Sequence, residues 1–284
     1  MNIIDAIDNL VNLPINQIIN MNQNISSNNR MNAQGIALEM WVKNLFAGSF
    51  NCDETERMHR INDTFAYCGN SNNPPDAMLR GGNTGDAIEI KKLEGQGALA
   101  LNSSYPKQFL LSDNPLINNN CRDVEIWDKR DMLYVVGTVN NRKLQTLCMV
   151  YGDVYCANND CYLKLWSKIK GSIMETKDID FTNTKELAHI NAVDPLGITY
   201  FRVRSMWGIQ NPWKVFHYLC TIDTTKQFNF MCIISQRKWN TFNNAIQLEM
   251  LSKTNQALAV FDNTVYDPDN PANLINVKVI NYKI

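Results

Sequence analysis

Asn73-Pro74-Pro75-Asp76-Ala77-Met78-Leu79-Arg80, then Gly81-Gly82-Asn83-Thr84-Gly85, then Asp86-Ala87-Ile88-Glu89-Ile90-Lys91-Lys92 is the stretch that decides the fold. Two short strand-like runs flank a glycine-rich turn, which is the pattern of a β-hairpin. Alternate residues of a strand share a face. Ile88 and Ile90 therefore point into a core, while Ala87, Glu89 and Lys91 point the other way. On the first strand Ala77 and Leu79 share one face, Asp76 and Met78 the opposite one. Closing the hairpin brings Asp76 beside Glu89 and Lys91. Two carboxylates and one ammonium on one face can hold a divalent cation beside a phosphate. Asp86 is nearer to Glu89 in sequence, yet its phase places it with Ile88 and Ile90. It reads as a residue closing the turn, not as a ligand.

Asp76, Glu89 and Lys91 match the PD…(D/E)xK arrangement of many metal-dependent nucleases. So short a pattern also arises as the solvated face of an ordinary hairpin. The turn punctuation, the common phase of the three residues and the apolar opposite face weigh toward a nuclease site.

Three further blocks stand out. Asn32-Ala33-Gln34-Gly35-Ile36-Ala37-Leu38-Glu39 precedes the hairpin, and Leu99-Ala100-Leu101-Asn102-Ser103-Ser104-Tyr105-Pro106-Lys107 follows it. Asp194-Pro195-Leu196-Gly197-Ile198-Thr199-Tyr200-Phe201-Arg202-Val203-Arg204-Ser205-Met206-Trp207-Gly208-Ile209 comes much later. With the hairpin, these blocks resemble the NgoPII-type type II restriction endonucleases across most of the chain. The resemblance implies a PD-(D/E)xK core and site-specific cleavage of double-stranded DNA. For the family's namesake it implies a GGCC target, and products with 5′-phosphate and 3′-hydroxyl ends. A restriction-modification system also implies a companion DNA methyltransferase. A palindromic target mirrors two-fold protein symmetry, so a homodimer is expected.

The coarse pattern agrees with an α/β fold, a mixed central sheet flanked by helices. Ile3 to Ile19 reads as one or two amphipathic helices interrupted at Pro14, and Asn32 to Phe46 as a helix with a stripe of Leu38, Trp41, Val42, Leu45 and Phe46. Asn51 to Gly69 looks helical at first and irregular later. Met132 to Val139 and Leu144 to Val154 are β-rich runs separated by Asn140-Asn141, a tight-turn signal. Tyr162 to Ile173 reads as a helix. Thr199 to Arg204, Phe228 to Ser235 and Val277 to Tyr282 read as strands. No linker forces a boundary, so one domain is expected over 1–284, with a catalytic core at about 32–155 and DNA-recognition elements at about 99–110 and 194–240.

The chain has 284 residues, 45% of them hydrophobic, enough for a real core. Its formal net charge of −1 argues against a non-specific DNA coat. A sequence-specific enzyme needs positive charge only along its cleft, and Lys91, Lys92, Lys107, Arg202, Arg204 and Lys214 are the candidates for that strip. No run approaches a membrane span, and no basic-then-apolar leader opens the chain, so a cytoplasmic protein is expected. The eight cysteines show no zinc-finger spacing and read as buried free thiols. The three histidines are scattered and suggest no nucleophilic triad.

The expected chemistry is Mg²⁺-dependent hydrolysis of a phosphodiester. Asp76 and Glu89 ligate Mg²⁺ with the carbonyl of Ile90, and Lys91 helps to place and deprotonate the attacking water. Glu39 reads either as a surface glutamate paired with Lys43 or as a third acid presented to the metal from its helix. Lys92, Asn102, Ser103, Ser104, Tyr105 and Lys107 read as DNA contacts just after the catalytic strand. Arg202 and Arg204 share a strand face and read as base readers, accompanied by Trp207, Gln210, Asn211 and Lys214. Lys107 and Lys214 read as flexible phosphate-binding charges beside Pro106 and Pro212. Two rivals remain at this point: a structure-specific nuclease indifferent to base sequence, and a non-catalytic DNA-binding module with a fortuitous acidic hairpin.

Overall fold

Residues that alternate between two apolar faces need cover on both sides, and the chain supplies it. The computed structural model describes residues 1–21, 30–70, 73–101, 104–176, 179–184 and 186–284. Its strands, in chain order, are β1 (Phe65–Asn70), β2 (Asn73–Leu79), β3 (Ala87–Leu93), β4 (Leu99–Leu101), β5 (Phe109–Leu111), β6 (Lys129–Asn140), β7 (Lys143–Tyr151), β8 (Ala188–Ile190), β9 (Phe201–Val203), β10 (Trp207–Ile209), β11 (Asn229–Ser235), β12 (Leu258–Tyr266) and β13 (Leu274–Lys283). A nine-stranded sheet runs β1-β2-β3-β6-β7-β11-β13-β12, with β5 added against β6. β3 pairs with β6, and β7 with β11, in parallel, while the other pairs are antiparallel. The mixed sheet flanked by helices agrees with the sequence reading.

One face carries Ala77, Leu79, Ile88, Ile90, Leu133, Val135, Leu147 and Met149, packed with Leu10, Leu38, Val42, Leu45 and Phe46. Those covering residues come from the helices Ile3–Asn12 and Arg30–Ala47. The opposite face carries Met78, Ala87, Met132, Tyr134, Val136, Cys148 and Val150, under Trp127, Trp213 and Phe216. The hairpin is therefore apolar on both faces at its turn end, and only beyond Ala87 does its second face become polar. Each fully buried Leu, Ile or Phe contributes roughly 1.5–3 kcal/mol, so the two cores hold the hairpin rigidly between them.

Local chemistry accounts for the boundaries. Asn2 caps the helix Ile3–Asn12 in a capping box with Asp5, and Pro14 separates it from the helix Ile15–Ile19. The β6–β7 loop is Asn141-Arg142, both at positive φ (49° and 63°), one residue beyond the expected turn. Two positive φ values match the twist of a hairpin. The stretch Asn51 to Gly69 departs from expectation: the helix Glu54–Thr64 leads straight into β1. Gly69 lets this edge strand pass close to β2, since a Cβ there would stand 2.3 Å from the Pro75 carbonyl oxygen. The helix Ala245–Thr254 and β12 were also not foreseen.

Asp86 does close the hairpin, as Leu79 N–H donates to its carbonyl at 2.9 Å. Its side chain does more than the sequence suggested. Only 2% of the residue is exposed, and its carboxylate accepts from Lys238 Nζ at 2.6 Å and Tyr151 O–H at 2.7 Å. Lys238 also pairs with Asp131 at 2.8 Å. This ion cluster bolts the hairpin to the segment after β11, and removing Asp86 leaves Lys238 to Asp131 alone and the buried Tyr151 hydroxyl without its acceptor. Asp86→Ala should therefore lower stability by about 1–3 kcal/mol in urea denaturation, while the folded fraction keeps the Asp76–Glu89–Lys91 cluster. An unchanged midpoint would show that water reaches Lys238.

Candidate active site

β2 and β3 pair at only two positions, Ala77 with Ile88 and Met78 with Ala87. Pro75, next in register opposite Ile90, has no N–H to donate; the peptide between Pro74 and Pro75 is cis. Past these pairs the Ile90 N–H is taken up by a side chain: it donates to Asp76 Oδ2 at 2.6 Å. Lys91 Nζ lies 2.6 Å from Glu89 Oε1 and 3.7 Å from Asp76 Oδ2. The three residues that shared a phase in the sequence thus stand together. Glu89 Oε2 is buried without a hydrogen-bond partner among the described residues, a costly state for a carboxylate oxygen unless something completes it.

Burial pushes the Asp76 carboxyl up to about 7, and the neighbouring Glu89 adds to the rise; Lys91 and the Ile90 N–H oppose it. Burial works against the Lys91 ammonium, but Glu89 and Asp76 outweigh it and raise its pKa. Without a metal ion, Lys91 is thus held as a cation between the two acids.

Two close carboxylates, one with an unpartnered oxygen, suit Mg²⁺, a hard cation that binds through one or two carboxylates and retains waters. Glu39 sits half-buried on the helix Arg30–Ala47, close enough that Lys91 and Glu89 act on it electrostatically. Its pKa is raised by burial, against the pull of Lys43 and Lys91. Among the described residues no three His, Cys, Asp or Glu side chains gather tightly enough to hold a metal ion. Glu39 is thus near the pair but does not complete a preformed cage with it.

The two segments expected to meet DNA prove to be neighbours. β4 pairs with β10, joining Leu101 to Trp207 and Leu99 to Ile209. Tyr105 stacks on Tyr162 (centroids 6.0 Å apart), and Tyr162 meets Trp207 edge-on at 5.5 Å. Asn102 and Ser103 lie outside the described residues, and Ser104 and Tyr105 are half-buried. Gln210 exposes its side chain, while its carbonyl accepts from Tyr155 O–H.

Several expectations need correction. Lys107 is no flexible surface charge: only 2% of it is exposed. Asn211 is 0% exposed and caps the short helix Pro212–Val215 by accepting from Trp213 N–H at 3.0 Å. Lys214 is exposed, but on that helix and not in a loop. Lys92 folds onto Glu94, with Nζ 2.8 Å from Oε1. Arg202 and Arg204 both lean on Glu186, Arg202 through Nη2 at 2.5 Å and Arg204 through Nε at 2.7 Å. Both arginines are solvent-exposed, so this shared carboxylate is screened by water.

An acidic pair bridged by a lysine, where two neighbouring strands of the sheet part, is the kind of site a phosphodiesterase needs. Residues 1–266 match the NgoPII restriction endonuclease family, and the chain belongs to that family. It is 50% identical over 286 residues to the type II restriction enzyme NgoPII of Neisseria gonorrhoeae, with the whole of both chains covered. No solved structure matches it. The protein is a type II restriction endonuclease, a site-specific deoxyribonuclease.

The raised Asp76 carboxyl has a signed consequence. Its folded pKa of about 7 lies above the ordinary 3.8, so the metal-free fold loses stability as pH climbs from about 4 through about 7. Asp76→Asn removes that loss. In EDTA the variant should melt higher than the wild type at pH 8, by about 2–4 °C or more, with the gap closing toward pH 5. A gap that stays constant with pH would contradict the buried, coupled carboxyl.

Proposed function

We propose that the protein cleaves double-stranded DNA in a Mg²⁺-dependent reaction at a short palindromic GC-rich site, GGCC if the target follows the family's namesake. Its hairpin is a PD-(D/E)xK centre, with Asp76, Glu89 and Lys91 as the catalytic residues. The observation that carries this reading is that Lys91 bridges Asp76 and Glu89, while Glu89 Oε2 is buried with no hydrogen-bond partner among the described residues. Asp76, Glu89 and the Ile90 carbonyl would hold the ion. Mg²⁺, when bound, supplies Lewis-acid polarisation of the phosphate and acidification of water.

The chain's own residues do the rest. Asp76 is fixed by the Ile90 N–H, so its free oxygen keeps one direction. Lys91 orients the attacking water and stabilises charge on the phosphorane-like transition state. The products carry 5′-phosphate and 3′-hydroxyl ends. The reading places the enzyme in the cytoplasm as a homodimer, with one active site per strand and a companion methyltransferase to protect host DNA. Cys121, Cys148, Cys156, Cys220 and Cys232 are buried free thiols, which fits a reducing compartment, whereas Cys68 and Cys161 are exposed and Cys52 half-buried, against the expectation that all eight are buried. Arg202 and Arg204 can exchange Glu186 for guanine edges, and Lys214 can meet a phosphate.

Digestion of phage DNA with Mg²⁺ should give discrete bands. A smear, or no cutting of plain duplex, would favour a structure-specific nuclease instead. Asp76→Ala, Glu89→Ala and Lys91→Ala should each lower cleavage by orders of magnitude, and full activity in any of them would remove it from the catalytic set. With Ca²⁺ in place of Mg²⁺ the wild type should hold its target uncut, and a gel shift without cognate preference would sink sequence specificity.

Base reading is checked separately by binding across a salt series. Arg202→Ala or Arg204→Ala should cost about 1–3 kcal/mol and relax discrimination at one position, whereas Lys214→Ala should weaken all sequences alike and flatten the salt slope by about one unit. If both arginine variants keep full mismatch discrimination, recognition lies elsewhere.

A further inference from the structure

Lys107 is among the largest fully buried side chains of the protein, although it follows a proline in what reads as a polar loop. Its backbone is pinned on both sides. Lys107 N–H donates to Tyr134 Oη at 2.7 Å, and Tyr134 O–H lies 3.2 Å from the Lys107 carbonyl oxygen. Tyr134 is the β6 residue directly paired with Glu89. Gly152 makes room for this segment, since a Cβ there would stand 2.3 Å from the Lys107 carbonyl oxygen. The lysine thus reaches the catalytic strand through one tyrosine.

Its ammonium faces inward. A small cavity is lined by Glu89, Pro74, Ser104, Tyr105, Lys107 and Tyr134, among others. Lys107 Nζ contacts Ser104 Oγ and the Tyr105 carbonyl oxygen (3.2 Å), and sits 4.2 Å from the centre of the Tyr105 ring. None of these partners carries a charge. Among the carboxylates, Glu89 is the one whose field raises the pKa of Lys107, against a burial that lowers it to about 8. Lys91 occupies Glu89 Oε1, which leaves Oε2 unpartnered. Tyr105 continues the chain of contact outward, through Tyr162 to Trp207.

We propose that Lys107 is a positioning residue of the catalytic centre: from inside the cavity it sets the aim of the Glu89 carboxylate and ties that aim to the strap of Ser104, Tyr105 and Trp207. This rests on the reading of Glu89 as a metal ligand. DNA that presses on Trp207 or Tyr105 shifts the same contacts that hold Lys107, so correct docking of the strap is felt at Glu89. The lysine does not touch the scissile phosphate in this assignment.

The test is Lys107→Met, which keeps the length of the side chain and removes its charge. Four quantities are measured on the full-length protein: kcat and KM on a cognate duplex, the salt slope of binding, Mn²⁺ affinity by calorimetry, and Tm. Positioning predicts kcat lower by about 10–100-fold, the usual effect of losing a residue that orients a ligand. KM, salt slope and Tm stay put, while Mn²⁺ affinity falls along with kcat because Glu89 has lost its aim. Cleavage of a one-mismatch duplex falls less than cognate cleavage, so discrimination at the chemical step narrows.

Three results would overturn the assignment. An unchanged kcat means Lys107 does not act on Glu89. A raised KM with a salt slope flatter by about one unit means it binds a DNA phosphate after all. A fall of Tm and Mn²⁺ affinity together means that the lysine merely holds the fold. If Lys107→Met does not fold, Tyr134→Phe loosens the same pin with its ring in place, and the same outcomes decide. Glu89→Ala separates the two readings: normal Mn²⁺ affinity there refutes Glu89 as a ligand, whereas lost affinity there with unchanged kcat in Lys107→Met refutes only the positioning role.

Discussion

Everything at the site depends on β2 and β3 parting after two residue pairs. Pro75 lacks the donor at the next pair, and an Asp76 oxygen takes the Ile90 N–H that the strand leaves open. The substitution of a side chain for a strand carbonyl fixes one carboxylate beside another. Two like charges in a dry place are unstable alone. Lys91 relieves them while the metal is absent, and a divalent cation can relieve them further.

The same problem recurs elsewhere in the fold with a different solution. Lys238 is buried between Asp86 and Asp131, a pairing with enough carboxylate to satisfy it in place. Lys107 is equally buried but meets a hydroxyl, a carbonyl and a ring. The first cluster is a bolt between the hairpin and the segment after β11. The second leaves its charge balanced only at a distance, by Glu89, and so has reason to respond to what happens there. Burial of an ion costs several kcal/mol after relaxation, and only close partners offset it. Completeness of pairing is what separates the bolt from the lever.

The strap arrives by tertiary folding alone. β4 and β10 are three residues each and separated by about a third of the chain, yet they pair and bring Leu101 to Trp207. Nearby, Arg202 and Arg204 rest on Glu186 and not on any part of the sheet. Exposed guanidinium groups on a screened carboxylate can change partners at small cost.

By itself the sequence determined the phase of Asp76, Glu89 and Lys91, the helix carrying Leu38 and Phe46, the strands β6 and β7, and the exclusion of Asp86 from the acidic pair. Side-chain periodicity of two and 3.6 residues is a property of the backbone, so it can be read before folding. Family membership was legible too, in blocks long enough to be unlike chance. What only the tertiary structure decided was burial and partnership. Lys107 and Asn211 lie in polar segments that look exposed, yet one faces the Glu89 cavity and the other caps a helix inside the second core. Asp86 seemed a turn residue until Lys238, 152 positions away, came to meet it. Whether a charge is solvated or paired depends on which distant residue arrives beside it, and no local pattern carries that information.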